Sequence, residues 1–250
     1  MELIDETKIY TVHENQDILA LYKPAGILTH PDGRGSKDSV WQWIKSNRPE
    51  LENVGEVLTV AENKTLPRCG LLHRLDQDTS GVILVAKNEE SFFFFKEQFQ
   101  NRLVKKEYKA FVYGKMPEQK GIIDRAIGKS AKDFRKWSAQ RGARGKIREA
   151  VTEYFVEIET PEVSLLTLWP KTGRTHQIRV HLKALHHPVV CDKLYAPNQS
   201  SLLGFSRLAL HARSITIDTP EEKNLQIVAP YPKDFQNAKK ELGEILPINQ

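Results

Sequence analysis

The pattern of apolar and polar positions along the chain predicts a mixture of strands and helices. A short apolar run at residues 18–22 ends in a KPAG turn, because proline stops a strand ladder and glycine permits the bend. Period-two alternation over residues 106–114 predicts another strand. Residues 151–158 and 163–169 predict a pair of strands, and residues 215–217 predict one more.

Three segments carry the spacing of amphipathic helices. The first begins at Ser39, which forms a capping-box pattern with the glutamine three residues later, and stops before Pro49. The second covers residues 88–102, and its four consecutive phenylalanines are predicted to lie in the core. The third covers residues 174–185, and a further helix of acidic and basic residues is predicted at the end of the chain.

A segment rich in reactive side chains, HRLDQDTSG, lies between apolar runs at residues 71–72 and 82–86, which predict two strands. Its carboxylate Asp76 is a candidate nucleophile or general base. The alternative is a turn in which polar side chains only cap backbone groups, and this is the simpler interpretation for residues 78–80.

A second segment, KTGRTHQIRVHL, concentrates basic side chains on one turn and helix. They are Arg174, His176, Arg179 and His181. Such a group suits a carboxylate partner or RNA phosphates. We therefore predict that Arg174 and His176 bind substrate, together with His73 of the first segment.

The composition is that of an ordinary folded chain, with 250 residues, 40% of them hydrophobic and 28% charged. It excludes collagen-like, disordered and disulfide-scaffold classes, and one domain over residues 1–250 is the simplest organisation. Only Cys69 and Cys191 are present, and the N-terminus is acidic, so we expect a reducing compartment, the cytoplasm. The chain has no run of 18 apolar residues, which excludes a membrane-spanning helix.

Positive charge is concentrated in residues 129–148, which contain eight basic side chains and one aspartate. The whole chain carries a net charge of only +5. With Trp137, this segment has the composition of a mobile loop that binds phosphates and can stack a base. The alternative is a solvated loop of accidental composition. The predicted RNA contacts are Lys129, Lys132, Arg135, Lys136, Trp137, Arg141, Arg144, Lys146 and Arg148.

Several motifs in succession resemble those of the RluA-type pseudouridine synthases. They are YKPAGILTHP, LLHRLDQDTSGVILVAKN, KKEYKAFVYG, EAVTEYFV, KTGRTHQIRVHL, RLALHARS and VAPYP. The resemblance implies an α/β (α+β) fold with a curved, largely antiparallel mixed sheet flanked by helices. It also implies a single catalytic domain that isomerises uridine to pseudouridine in structured rRNA or tRNA, with no metal and no organic cofactor.

The resemblance assigns roles to individual residues. Asp76 of HRLD corresponds to the essential catalytic carboxylate, and Tyr108 of KEYKAFVYG to the tyrosine that stacks on the target base. Arg179 of HQIR is expected to pair with Asp76. Arg74 resembles the arginine that replaces the extruded nucleotide in the RNA stack, and Leu210 an apolar wall near the base.

Two positions depart from the family pattern: Tyr22 precedes Lys23 where asparagine is common, and Cys191 precedes Asp192 where glycine is usual. Because family-like motifs begin within the first twenty residues, we expect no separate N-terminal RNA-binding module. The expected partner is RNA, with no membrane and no obligate protein partner, and the expected state is a monomer.

Three other functions fit parts of the sequence. A metal hydrolase is disfavoured because His176 and His181 are five positions apart and no HExxH occurs. An RNA-binding or RNA-folding protein without catalysis remains an alternative on the same scaffold. An RNA glycosidase is another, although glycoside hydrolysis usually needs two carboxylates and Asp78 is the only nearby candidate.

Overall fold

The computed structural model describes residues 5–31, 38–61, 64–139 and 143–243. In chain order its strands are β1 (Tyr10–Glu14), β2 (Ile18–Lys23), β3 (Val57–Ala61), β4 (Lys64–Pro67), β5 (Ser80–Ala86), β6 (Lys105–Tyr113), β7 (Lys120–Asp124), β8 (Ile127–Lys129), β9 (Trp137–Ser138), β10 (Arg144–Arg148), β11 (Val151–Glu159), β12 (Val163–Pro170), β13 (Leu210–Ile217) and β14 (Leu225–Val228). Its helices are α1 (Val40–Asn47), α2 (Glu89–Gln100), α3 (Gln177–Ala184) and α4 (Lys233–Glu241), and a 3-10 turn spans Pro49–Leu51.

The chain divides into two compact units. The first comprises Met1–Lys105 and Ala212–Pro230, and the second comprises Lys106–His211 and Tyr231–Gln250. That the two units act as a single catalytic domain stays a prediction.

In the first unit, β2 lies between β1 and β5 and is antiparallel to both. Every residue of β2 and β5 is buried, because each face of these strands is covered. Strand β14 is antiparallel to β13, and β3 and β4 form a separate hairpin. Gly81 is required within β5, since its φ is +125° and a Cβ there would overlap the carbonyl oxygen of Ala212.

The second unit contains four antiparallel strands in the order β6-β12-β11-β7. Strand β12 is buried along almost its whole length, and the rings of Phe111, Phe205 and Phe235 meet with centroids 5.2–5.3 Å apart. Strands β10, β8 and β9 form a small antiparallel sheet, which we call the basic sheet.

The structure confirms the predicted start of α1 at Ser39, whose Oγ accepts a hydrogen bond from the Gln42 amide at 3.1 Å. Only this half of the capping box forms among the described hydrogen bonds, and Nε2 of Gln42 donates to the Ser46 hydroxyl at 3.5 Å. Strand β5 confirms the prediction at residues 82–86, whereas of the predicted strand at 71–72 only Leu71 forms an isolated bridge.

The prediction that all four consecutive phenylalanines lie in the core is wrong. Phe92 and Phe95 are buried, but Phe93 is 53% exposed and Phe94 is 37% exposed. A helix advances about 100° per residue, so four adjacent side chains cannot share its buried face.

Within the described residues, no helix has both the length and the apolar character needed to span a membrane.

Candidate active site

Asp76 lies in the first unit, on the loop that joins Leu72 to β5, and its side chain is half-buried. The residue before it is fixed by Thr29, whose hydroxyl donates to the Leu75 carbonyl at 2.9 Å and accepts from the Leu75 amide at 3.1 Å. The Asp76 carbonyl accepts from the Thr79 amide at 3.1 Å, which closes a turn. The carboxylate is therefore presented from a backbone with a defined path.

Lys23 fixes the other side of Asp76. The lysine is fully buried, and its ammonium donates to the carbonyls of Pro24, Ile27 and Gln77 at 2.9, 2.7 and 2.9 Å. Three carbonyl acceptors match the three N–H donors of an ammonium group and offset the free-energy cost of burying its charge. The KPAG turn and the loop that carries Asp76 are thus held together by one side chain, a contact that the sequence pattern did not reveal.

The two other predicted residues of this loop differ in exposure. Arg74 is exposed. His73 is half-buried, its Nε2 accepts from the Leu84 amide at 3.0 Å and its ring stacks on Phe99. These contacts of His73 hold the loop onto β5, and its role in substrate binding stays a prediction.

His30 adds a half-buried imidazole near the same loop. Burial lowers its pKa to about 4, and the positive charges of Arg68 and Arg74 act in the same direction. The ring is therefore neutral at pH 7. Local periodicity gave no signal for this residue.

Tyr108 lies in the second unit, in the middle of β6 opposite Leu168 of β12, and is half-buried. Lys106 precedes it by two positions and so shares its face of the strand. Burial lowers the pKa of Lys106 to about 8. Its ammonium approaches the KTGR turn at Gly173.

Arg179 projects from α3 and is held by Asp192. Its Nε donates to Oδ2 at 2.7 Å and its Nη2 donates to Oδ1 at 2.8 Å, and both side chains are buried. Asp192 also accepts from the amides of Leu194 and Tyr195 at 3.0 Å. A planar guanidinium held at two points has a fixed orientation.

Cys191, the residue before Asp192, has a φ of +57°. Glycine adopts such a left-handed conformation without strain, so the glycine usual at this position in the family has a physical reason. Tyr22, the other departure, is buried and stacks on Tyr10 with centroids 4.8 Å apart.

Tyr195 joins three parts of the site in the second unit. Its hydroxyl accepts from the Trp137 amide at 3.0 Å and is 2.9 Å from Nδ1 of His176. Its ring lies beneath the Arg179 guanidinium at 5.0 Å. His176 itself has a φ of +56°, a conformation uncommon outside glycine and often found at functional sites.

The KTGR turn is tied to α3 by Gln177. Its Oε1 accepts from the hydroxyl of Thr172 and the amide of Arg174, and its Nε2 donates to the Val151 carbonyl and the Thr152 hydroxyl. Arg174 is half-buried and donates to the Glu149 carbonyl. Helix α3 begins only at Gln177, three residues later than predicted, because the turn uses the preceding residues.

His181 and Leu210 are both buried in the second unit. The His181 ring is within 2.9 Å of the Thr152 hydroxyl and of the Arg125 carbonyl, and burial lowers its pKa. His181 therefore joins α3 to β11. Leu210 begins β13 within the apolar core, and its contact with a target base stays a prediction.

Residues 129–148 were expected to form a mobile loop; their described part comprises the end of β8, a turn over residues 130–136, and strands β9 and β10. All of β10 is exposed, as are Lys129, Lys132 and Arg135. Lys136 and Trp137 are half-buried, and the Lys129 ammonium lies 4.7 Å from the Trp137 ring centre. Arg141 lies outside the described residues.

Among the described residues, no three His, Cys, Asp or Glu side chains are grouped so that they could hold a metal ion.

Comparisons with known proteins agree with one another. Residues 17–184 match the family described as RNA pseudouridylate synthase. Ribosomal large subunit pseudouridine synthase D of Borreliella burgdorferi is 35% identical over 227 residues, which cover 91% of this chain and 66% of that protein. The chain thus spans about two thirds of the length of that relative.

Two solved human structures have a similar fold. RNA Pseudouridylate Synthase Domain Containing 1 superimposes with a TM-score of 0.69 at 26% identity, covering 93% of this chain and 87% of that one. RNA Pseudouridylate Synthase Domain Containing 4 gives a TM-score of 0.72 at 24% identity, covering 95% and 94%. The predicted α/β fold class with a largely antiparallel sheet is confirmed.

Proposed function

Because this chain belongs to the RNA pseudouridylate synthase family, as its motifs predicted, we propose that it isomerises uridine to pseudouridine in structured rRNA or tRNA. The observation that carries the proposal is the family match over residues 17–184, which contains Asp76, Tyr108 and Arg179. The loop geometry around Asp76 supports it, since Thr29 and Lys23 fix the backbone on both sides of that carboxylate.

The reaction breaks the bond between uracil N1 and the ribose, turns the base, and rejoins it to the ribose through carbon 5. Carbon 5 loses its proton as the new bond to the ribose forms and N1 gains a proton, so atoms and electrons balance without oxidation or hydrolysis. Two steps fit a carboxylate at Asp76, namely attack on the anomeric carbon and removal of a ribose proton. In either step the carboxylate acts as an anion.

Tyr108 and Arg179 complete the proposed catalytic group. Tyr108 stacks on the target base, and its half-buried position beside the buried stretch 109–112 of β6 supports this role. Arg179 pairs with Asp76 as the family resemblance implies, and the grip of Asp192 on its Nε and Nη2 sets the direction of the guanidinium.

A uridine inside a helix hides its glycosidic bond, so the nucleotide has to leave the stack. We assign this step to Arg74, an exposed cation two residues before Asp76, which would occupy the vacated space. The basic sheet would bind the surrounding phosphates.

A cytoplasmic location stays a prediction.

Mass spectrometry of rRNA and tRNA from cells with and without the gene tests the proposal. We expect pseudouridine to be lost from specific sites and restored by the wild-type chain, but not by D76A. D78A is the matched control, because Asp78 is an exposed carboxylate on the same loop. It should restore the modification.

Purified protein and RNA distinguish the alternatives. Pseudouridine formed without added metal or nucleotide supports the synthase. Release of free uracil would identify a glycosidase, and RNA binding with no change in either product would identify a non-catalytic RNA-binding protein.

A further inference from the structure

Phe134 stands at the tip of a turn between β8 and β9, and its side chain is 81% exposed. It is the most exposed of the large hydrophobic side chains in the described part of the chain. The flanking strands pair at Lys129 and Trp137, and the Ser130 amide donates to the Lys136 carbonyl at 2.9 Å. The ring is therefore held outward by a closed hairpin.

Asp133 stabilises the turn that presents this ring. Its carboxylate accepts from the backbone amide, Nε and Nη2 of Arg135 at 3.0, 3.1 and 2.9 Å, and its backbone carbonyl accepts from the Lys136 amide. The hydrogen bonds from Arg135 hold the Asp133 pKa well below its usual range. The Asp133 carboxylate thus forms its hydrogen bonds within the turn, and the other charged side chains described near the ring are cationic.

We propose that the Phe134 ring stacks on an unpaired base of the bound RNA. The proposal rests on the proposed function for the identity of the partner, and it names a contact that this function does not require. An aromatic ring stacks on any base, because every base offers a flat face, and neighbouring cations bind the adjoining phosphates.

The charge around the ring selects RNA as the occupant. Lys132 and Arg135 flank it in the turn, and the exposed residues of β10 add three further cations on the adjoining strand. A surface with this excess of positive charge suits a polyanion. Nucleic-acid bases offer a flat face to such a ring and phosphates to the cations beside it, so a single RNA strand uses both features together.

Composition alone predicted that Trp137 stacks on a base, but its position suits this contact less well than that of Phe134. It is half-buried, it packs against the small apolar cluster that contains Val180 and Tyr195, and the Lys129 ammonium lies against its ring. Phe134 has no ring or cation partner among the contacts described for it, and its ring projects into solvent. Trp137 thus anchors the segment, and Phe134 is the ring that contacts the base.

The test measures the affinity of the full chain for two labelled probes, a twelve-nucleotide oligouridine and an RNA duplex of equal length, by fluorescence anisotropy. Wild type is compared with F134A, F134L and F134W. We expect F134A and F134L to bind the oligouridine about tenfold more weakly and F134W to bind it at least as tightly as wild type. Duplex affinity should stay within about twofold, and the salt dependence should not change, because no charge is removed.

The matched control is F155A, which removes a 40% exposed ring from β11, outside the basic sheet. It should bind both probes as wild type does. Unchanged oligouridine binding by F134A would overturn the stacking contact, and so would an equal loss on the duplex or a normal affinity of F134L. Failure of the proposed function is separate, since it would appear as wild-type protein that binds RNA and forms no pseudouridine.

Discussion

The guanidinium of Arg179 and the carboxylate of Asp192 form a buried ion pair with two parallel hydrogen bonds of 2.7 and 2.8 Å. Asp192 is 1% exposed and also accepts two backbone amides from the residues that follow it. The pair therefore joins α3 to the segment after Cys191. Asp192 therefore orients Arg179, whereas Asp76 is the carboxylate with which Arg179 is expected to act.

D192N should destabilise the protein by about 3–5 kcal/mol, because it leaves the Arg179 charge buried without its counter-ion. The kcat for pseudouridine formation should fall with it, since the guanidinium loses its fixed direction. Urea unfolding and single-turnover kinetics measure the two effects.

D234N is the matched control for that variant. Arg207 and Asp234 form a pair of the same geometry, with bonds of 2.6 and 2.8 Å, but both side chains are at least 20% exposed. We expect a loss of about 1 kcal/mol or less. Equal losses for D192N and D234N would show that burial adds nothing to the Arg179 pair.

Sequence reasoning identified the elements whose signal is local and missed the contacts between distant residues. The HRLD motif gave Asp76 as a candidate, and the apolar run at residues 82–86 gave β5. Nothing in the spacing indicated that Lys23 would bind a carbonyl 54 residues away, or that Asp192 would hold Arg179. Similarly, residues 129–148 had the composition of a loop, whereas pairing with β8 orders residues 144–148 as β10.

K23M should lower both stability and kcat. The methionine fills most of the space but leaves the carbonyls of Pro24, Ile27 and Gln77 without their charged donor, at a cost of about 3 kcal/mol. The loop that carries Asp76 then loses its anchor. Urea unfolding and kcat at saturating RNA check this, and K87M, which removes a lysine whose side chain is 26% exposed, should cost about 1 kcal/mol. Normal kcat in a destabilised K23M protein would refute the positioning role.

Lys106 should make stability depend on alkaline pH. Burial lowers its pKa from 10.5 to about 8, so between these values the unfolded chain holds a proton that the folded chain has released. Stability therefore rises with pH in this window, by about 2–3 kcal/mol from this residue alone. Below pH 8 Lys106 is protonated in both the folded and the unfolded chain, so the full cost of burying its charge reduces the stability of the folded state.

Urea unfolding of wild type and K106M from pH 7.5 to 10 isolates that contribution, because all other titrations are common to both proteins. The difference in unfolding free energy should shift in favour of wild type as pH rises. K115M, at a 65% exposed lysine, should show no such trend. A constant difference between wild type and K106M would mean that the Lys106 ammonium is solvated in the folded protein.

Charge reversal on β10 tests the basic sheet. R144E and K146E should each weaken RNA binding and reduce the slope of log affinity against log salt by about 0.7–0.9 for each RNA phosphate that is no longer neutralised. K120E makes the same charge change on β7 and should have a smaller effect. Anisotropy titrations at several KCl concentrations measure the slopes, and equal slopes for all three variants would remove β10 from the RNA interface.

Tyr195 should separate RNA binding from catalysis when its hydroxyl and its ring are removed in turn. Y195F loses the hydrogen bonds to the Trp137 amide and to His176 but keeps the ring beneath Arg179. We expect about 1 kcal/mol less stability and a KM for RNA raised several-fold with kcat near wild type, because the anchor of the basic sheet is loosened.

Y195L removes the ring as well, so Arg179 loses a cation–π contact worth about 0.5–2 kcal/mol. Its kcat should therefore fall below that of Y195F, while its KM is raised to a similar extent. Steady-state kinetics on one RNA substrate compares the two variants. If Y195F lost as much kcat as Y195L, the hydroxyl would act on the chemistry itself and not through the sheet that Trp137 anchors.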